Sequence, residues 1–168
     1  AVGAAAVAAV GCSVMVYHVV RRPFWHATLS GTKFAGTAVV AGLAAVLVVS
    51  AGSRPAALAL AAAMLARVAS EVLVLSHLRD PRLTPLRRSA LLLCGPLVRG
   101  SVVRLVLGLV GGLALPMLLV APGEAFPTTL RVGIAGAAFL AVLGGEFAER
   151  ALFFMAVVRP KMPGGLPS

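Results

Sequence analysis

Five stretches of about twenty apolar residues follow one another along this chain, and the short connections between them hold much of its charge. A bilayer-spanning helix needs about 20 mainly apolar residues. Inside lipid each backbone polar group must find its partner within the helix or in a closed barrel. The runs cover about 1–20, 30–50, 56–78, 96–120 and 128–158. Arg21, Arg22 and Pro23 close the first, Gly52, Ser53, Arg54 and Pro55 close the second, and Pro160 stops the last, since proline cannot continue a helix. The fourth apolar run already starts at Ala90, longer than one span requires. It holds either an interfacial turn around Ala90 to Gly95 or one long tilted helix. The expected fold is all-α, a single polytopic transmembrane helix bundle with about five spans.

Composition supports the same class. The 168 residues are 60% hydrophobic and 12% charged, with a mean hydropathy of +1.02, which leaves too little polar surface to coat a soluble globule. The net charge of +10 raises nucleic acid as a partner, but the arginines cluster in connections and form no basic strip with interleaved aromatics. Topology accounts for them instead. Arg21, Arg22 and Lys33 follow the first run, Arg79, Arg82, Arg87 and Arg88 the third, and Arg159 and Lys161 the fifth, whereas the other two connections carry Arg54, and Glu124 with Arg131. Positive charge collects on the cytoplasmic side, so the segment's start is expected outside and its C-terminus inside. The chain begins at Ala1 with no methionine and no charged leader, which reads as part of a longer polypeptide.

Charges within the spans need a reason, because an ionised side chain near a bilayer centre costs roughly 2.5–3.5 kcal/mol on insertion scales. Glu146, Glu149 and Arg150 fall at i, i+3 and i+4 on one helical face, and Arg67 and Glu71 lie at i, i+4. Arg99 and Arg104 lie in the fourth run. At about 1.5 Å of rise per residue, Glu71, Arg99, Glu146 and Arg150 come to similar depth in the cytoplasmic half, forming a polar layer across three helices. One reading is structural: Arg67 neutralises Glu71 locally, Arg150 neutralises one glutamate, and the network fastens the bundle. The other is functional: Glu71 or Glu146 carries protons, or an arginine polarises a bound carbonyl compound.

Cys12 and Cys94 form no CxxC and are expected as packing residues, and no motif ligates a metal or an iron–sulfur cluster. His18, His26 and His77 lie near the expected cytoplasmic surface, and a bis-histidine haem would require His18 and His77 at matching depth on neighbouring helices. Tyr17 and His18 form a pair able to hydrogen-bond and exchange protons with a quinol head group. Their plainer role is an interfacial anchor, continued by Phe24 and Trp25 in an aromatic belt. No internal repeat or catalytic signature is found.

The segments RRPFWHATLSGTKFAGT, HLRDPRLTPLRRSALLL and GGEFAERALFFMAVVRPKMPGG resemble the membrane anchor subunit of dimethyl sulfoxide reductase and its relatives. That resemblance covers most of the chain and implies the last five of eight spans, in the cytoplasmic (inner) membrane of a bacterium. It implies a haem-free anchor that binds quinone or quinol and exchanges electrons with a ferredoxin-like iron–sulfur subunit, beside a molybdopterin catalytic subunit. Such a chain holds no cofactor except quinone and does not itself transform the terminal substrate. The family's quinol-associated residues lie in the N-terminal half, so none is carried over here. Tyr17, His18, Arg67, Glu71, Arg99, Glu146, Glu149 and Arg150 are the candidates for a quinone or proton pathway. Arg21, Arg22, Arg79, Arg82, Arg87 and Arg88 are candidates for docking the iron–sulfur partner, or serve topology alone. The rival reading is a multi-pass transporter of small molecules or protons, expected to show broken helices or an internal repeat.

Overall fold

A computed structural model describes residues 8–9, 11–16, 27–76, 85–120 and 126–155. Among these residues all regular structure is helical. The elements are α1 (Ala27–Val49), α2 (Arg54–Ser76), the short α3 (Pro85–Cys94), α4 (Val98–Val120) and α5 (Thr128–Met155), with further helical residues at 8–9 and 11–16. Among the described residues four helices are long and apolar enough to cross a membrane: α1, α2, α4 and α5. The protein is a polytopic transmembrane helix bundle.

The distribution of side chains is that of a membrane protein. Val39, Val46, Leu65, Val102, Val103, Leu140 and Phe147 are each more than half exposed on the outer faces, while Arg67, Glu146 and Glu149 are buried. Water would penalise that arrangement, and lipid favours it.

The helices meet along stripes of three- and four-residue spacing, the period that keeps one face against a neighbour. On α1 the stripe is Lys33, Thr37, Val40, Ala44 and Leu47; on α2 it is Ala57, Leu60, Met64, Arg67 and Glu71. On α5 it passes through Ala135, Ala138, Val142, Glu146, Glu149 and Leu152. The small members Ala44, Ala57, Ala135 and Ala138 are wholly buried and let the backbones approach. Each stripe is apolar at one end and charged at the other. Because consecutive spans run in opposite directions, the charged ends coincide.

Breaks in the chain have local causes. α1 ends with Gly52 N–H donating to the Leu47 carbonyl at 2.8 Å, a closure with Ala51 at φ 50° and Gly52 at φ 73°. Arg131 on α5 seals that end, its guanidinium donating to the Gly52 carbonyl at 2.7 Å. Pro55 starts α2 in the first turn, where its missing N–H costs nothing. Between Cys94 and Val98 the chain turns at Gly95 and Pro96, so the long fourth run is a short helix followed by a span. Ser101 ties the two together by donating to the Leu93 carbonyl at 3.1 Å.

Within α4, Val110–Ala114 forms a π turn. Pro116 lacks the N–H that would bond Gly112 in an α-helix, and its ring would crowd that carbonyl; the wider turn relieves both. Here the neighbours close in. A Cβ on Gly111 would lie 2.8 Å from the Ala138 carbonyl oxygen and the Val142 nitrogen, and one on Gly112 would lie 2.4 Å from Met64.

Candidate functional site

The charged ends of four spans meet in one cluster. Lys33 stands six residues from the start of α1, Glu71 five from the end of α2, Arg104 six from the start of α4 and Glu149 six from the end of α5. At roughly 1.5 Å per residue, all lie about 8–9 Å in from their helix ends. Glu149 is the hub. It takes ion pairs from Lys33 and Arg104 and from Arg67 Nη2 at 3.3 Å. Arg104 also grips Glu71 with both terminal nitrogens, a two-pronged pair.

One turn deeper, Arg67 Nη2 lies 3.4 Å from Glu146 Oε2, and the Thr37 hydroxyl donates to that same oxygen at 2.6 Å. A Cβ on Gly36 would sit 3.1 Å from Arg67 Cδ, so glycine there leaves room for the guanidinium. Arg67 Nε is buried and has no acceptor among the described residues. Three carboxylates thus face three cations, Lys33, Arg67 and Arg104. Such a neutral, multiply bonded set is the arrangement in which charge persists away from water.

The partners differ from those the spacing suggests. Arg67 and Glu71, one turn apart on α2, do not neutralise each other: Arg67 turns to α5 and Glu71 to α4. Lateral neighbours win because Arg67 then meets two carboxylates and Glu71 gains a two-pronged guanidinium. The layer spans four helices, the fourth contributed by Lys33, which positive-inside counting assigns to a basic connection. Thr37 also escapes sequence reasoning, although the spacing from Lys33 through Thr37 to Val40 was available to find it. Arg150, expected against a glutamate, places its guanidinium carbon 3.6 Å from the centroid of the Phe34 ring, a cation–π contact joining α5 to α1. Glu146 and Glu149 are paired with cations of α1, α2 and α4. Arg99 is exposed and stands apart from the cluster.

Beside the cluster is a cavity of about 310 Å³. Lys33, Glu71, Arg104 and Glu149 form its charged end; Val68, Val98, Val102, Leu105, Leu152 and Phe153 are among its apolar walls. Phe153 is held edge-on to Phe34, with ring centroids 6.1 Å apart. Cys94, expected as a packing residue, is exposed and lines this cavity; Cys12 is exposed too. An apolar pocket with a few converging polar groups suits an amphipathic small molecule.

Among the described residues no group of three or more His, Cys, Asp or Glu side chains is placed to hold a metal ion. Tyr17, His18, His26, His77, Arg21, Arg22, Arg79 and Arg82 lie outside the described residues, as does the side chain of Arg88. Arg87 is part of α3 and half-buried. No protein-family model, curated protein or solved structure matches the chain.

Proposed function

We propose that this chain is a membrane anchor subunit of a molybdopterin and iron–sulfur oxidoreductase complex, binding quinone or quinol and exchanging electrons with a ferredoxin-like subunit. The observation that carries the proposal is the cavity, apolar along its walls and charged at one end, within the span-forming part of the bundle. A quinone has matching parts: an apolar tail and ring, and carbonyl oxygens that accept hydrogen bonds from Lys33 or Arg104. The resemblance of three segments to the dimethyl sulfoxide reductase anchors supplies the partners. In this reading the complex sits in a bacterial inner membrane, molybdopterin and iron–sulfur clusters belong to the other subunits, and the basic connections meet the iron–sulfur subunit.

The test is purification of the tagged, full-length protein from its native membranes in mild detergent, followed by mass spectrometry and analysis for molybdenum, tungsten and iron. Co-purified molybdopterin and iron–sulfur subunits are the expected result. A metal-free single chain overturns it.

A second reading, a transporter of small molecules or protons, is favoured by one feature. The π turn at Val110–Ala114 interrupts a span, and discontinuous helices mark the binding sites of many transporters. The same purification separates the two.

A further inference from the structure

The cluster at the cavity's end contains two kinds of cation. Arg67 and Arg104 keep their protons under all ordinary conditions, because a guanidinium does not deprotonate in proteins. Lys33 is different. Its ammonium is the one cation of the set able to give up a proton, and it lines the cavity with 19% of its side chain exposed. The carboxylates are each committed to a guanidinium: Glu71 to Arg104, Glu146 to Arg67, and Glu149 to both. Around Lys33, α5 presents Glu149 and Glu146, α2 presents Arg67 and Glu71, and α4 presents Arg104.

We propose that Lys33 is the group that exchanges a proton with a quinone head group seated in this cavity. The inference rests on the quinone reading above. In the reducing direction, two electrons come one at a time from the iron–sulfur chain of the partner subunit. The Lys33 N–H bond breaks as an O–H bond forms at the nearer quinone oxygen, and the second oxygen takes its proton from water. Neutral Lys33 then leaves the cluster with one uncompensated carboxylate, which draws a proton back from water through the cavity mouth. In the oxidising direction Lys33 first releases a proton to water, its neutral amine takes one quinol proton as that O–H bond breaks, the second quinol proton goes to water, and the two electrons leave one at a time to the same partner. Thr37, whose single hydroxyl proton lies between Glu146 Oε2 at 2.6 Å and the Lys33 carbonyl at 3.0 Å, ties the turn that carries Lys33 to α5.

The experiment uses the complete complex with its partner subunits. Quinol-driven reduction of the iron–sulfur clusters is followed by stopped-flow between pH 6 and 9, and binding by titration with a fluorescent quinol analogue. Lys33→Arg keeps the positive charge against Glu149 and removes the exchangeable proton. It is expected to bind the analogue like the wild type and to transfer electrons about 100-fold more slowly. A Lys33→Arg complex with the wild-type rate and pH profile overturns the role of Lys33. The double variant Lys33→Gln, Glu149→Gln removes the pair together and leaves the cluster neutral, so it serves where the arginine is not accommodated. It too is expected to bind and to be slow, and wild-type speed in it overturns the proposal. A wild-type complex that neither binds the analogue nor is reduced by quinol sinks the quinone reading itself.

Discussion

Arg67 reaches Glu149 on α5 at 3.3 Å, although Glu71 stands one turn further along its own helix. Stability therefore depends on a tertiary contact at this point. Removing one member of a buried pair leaves the rest uncompensated, at a cost of about 3–5 kcal/mol. Arg67→Met is expected to lose that much, measured as reversible unfolding in detergent or bicelles. Arg99→Met, on an exposed side chain of α4, is expected to stay within about 0.5 kcal/mol of the parent. Equal effects would show that the buried cluster contributes nothing particular.

Glu71 and Arg104 form a two-pronged pair between α2 and α4. Each single change, Glu71→Arg or Arg104→Glu, places like charges together and is expected to lower stability. Combining them restores opposite charge between these two positions, while the carboxylate placed at position 104 still faces Glu149. A double-mutant cycle should yield a coupling of about 0.5–3 kcal/mol; simple additivity would mean that the pair is not formed in the membrane.

At the π turn the constraint is steric. The atoms that a Gly111 methyl would strike are two backbone atoms of α5 and the Ala141 Cβ, none of which can rotate away. Gly111→Ala is expected to cost about 1–3 kcal/mol through forced separation of α4 and α5. Nothing lies within 4 Å of a Cβ on Gly133 or Gly136, so alanine at those positions is the matched control. Thermal unfolding in one detergent compares all three, and an unchanged Gly111→Ala would contradict the close approach.

Val68 lies on the cavity wall and takes no part in the ion pairs. Val68→Phe fills part of the space and is expected to reduce binding of a quinone analogue about tenfold or more, with the bundle still folded. Reaction of Cys94 with an apolar maleimide offers a second readout, since that thiol lines the same space. The labelling should slow in the filled variant. Unchanged affinity together with unchanged labelling would move the ligand elsewhere.

Much of this architecture was legible in the sequence. Twenty-residue apolar runs and Pro55 mark the helices, the turn before the fourth span stood as one of two alternatives, and the rule that intramembrane charges need partners singles out Arg67, Glu71, Glu146 and Glu149. The pairing was not legible. An i, i+4 relation is visible in one dimension, whereas the contacts of Glu149 depend on which helix lies beside α5. Lys33 was hidden for a related reason: a lysine near a basic connection looks like a topology signal until the helix is seen to begin at Ala27. The π turn arises from Gly111 and Gly112 in combination with Pro116 and the crowding by α2 and α5, and only the last of these requires the fold.

The split pair on α2 also bears on how the chain enters the bilayer. During synthesis α2 emerges before α4 and α5, so the carboxylates that hold Arg67 and the guanidinium that holds Glu71 in the finished bundle are not yet present. One turn apart on the same face, Arg67 and Glu71 can neutralise each other for that interval, lowering the expense of lodging either charge alone in lipid. Lys33 on α1 has no carboxylate on its own helix. It waits for Glu149, the last of these partners to be made, which gives the completed cluster the character of a latch closed by α5.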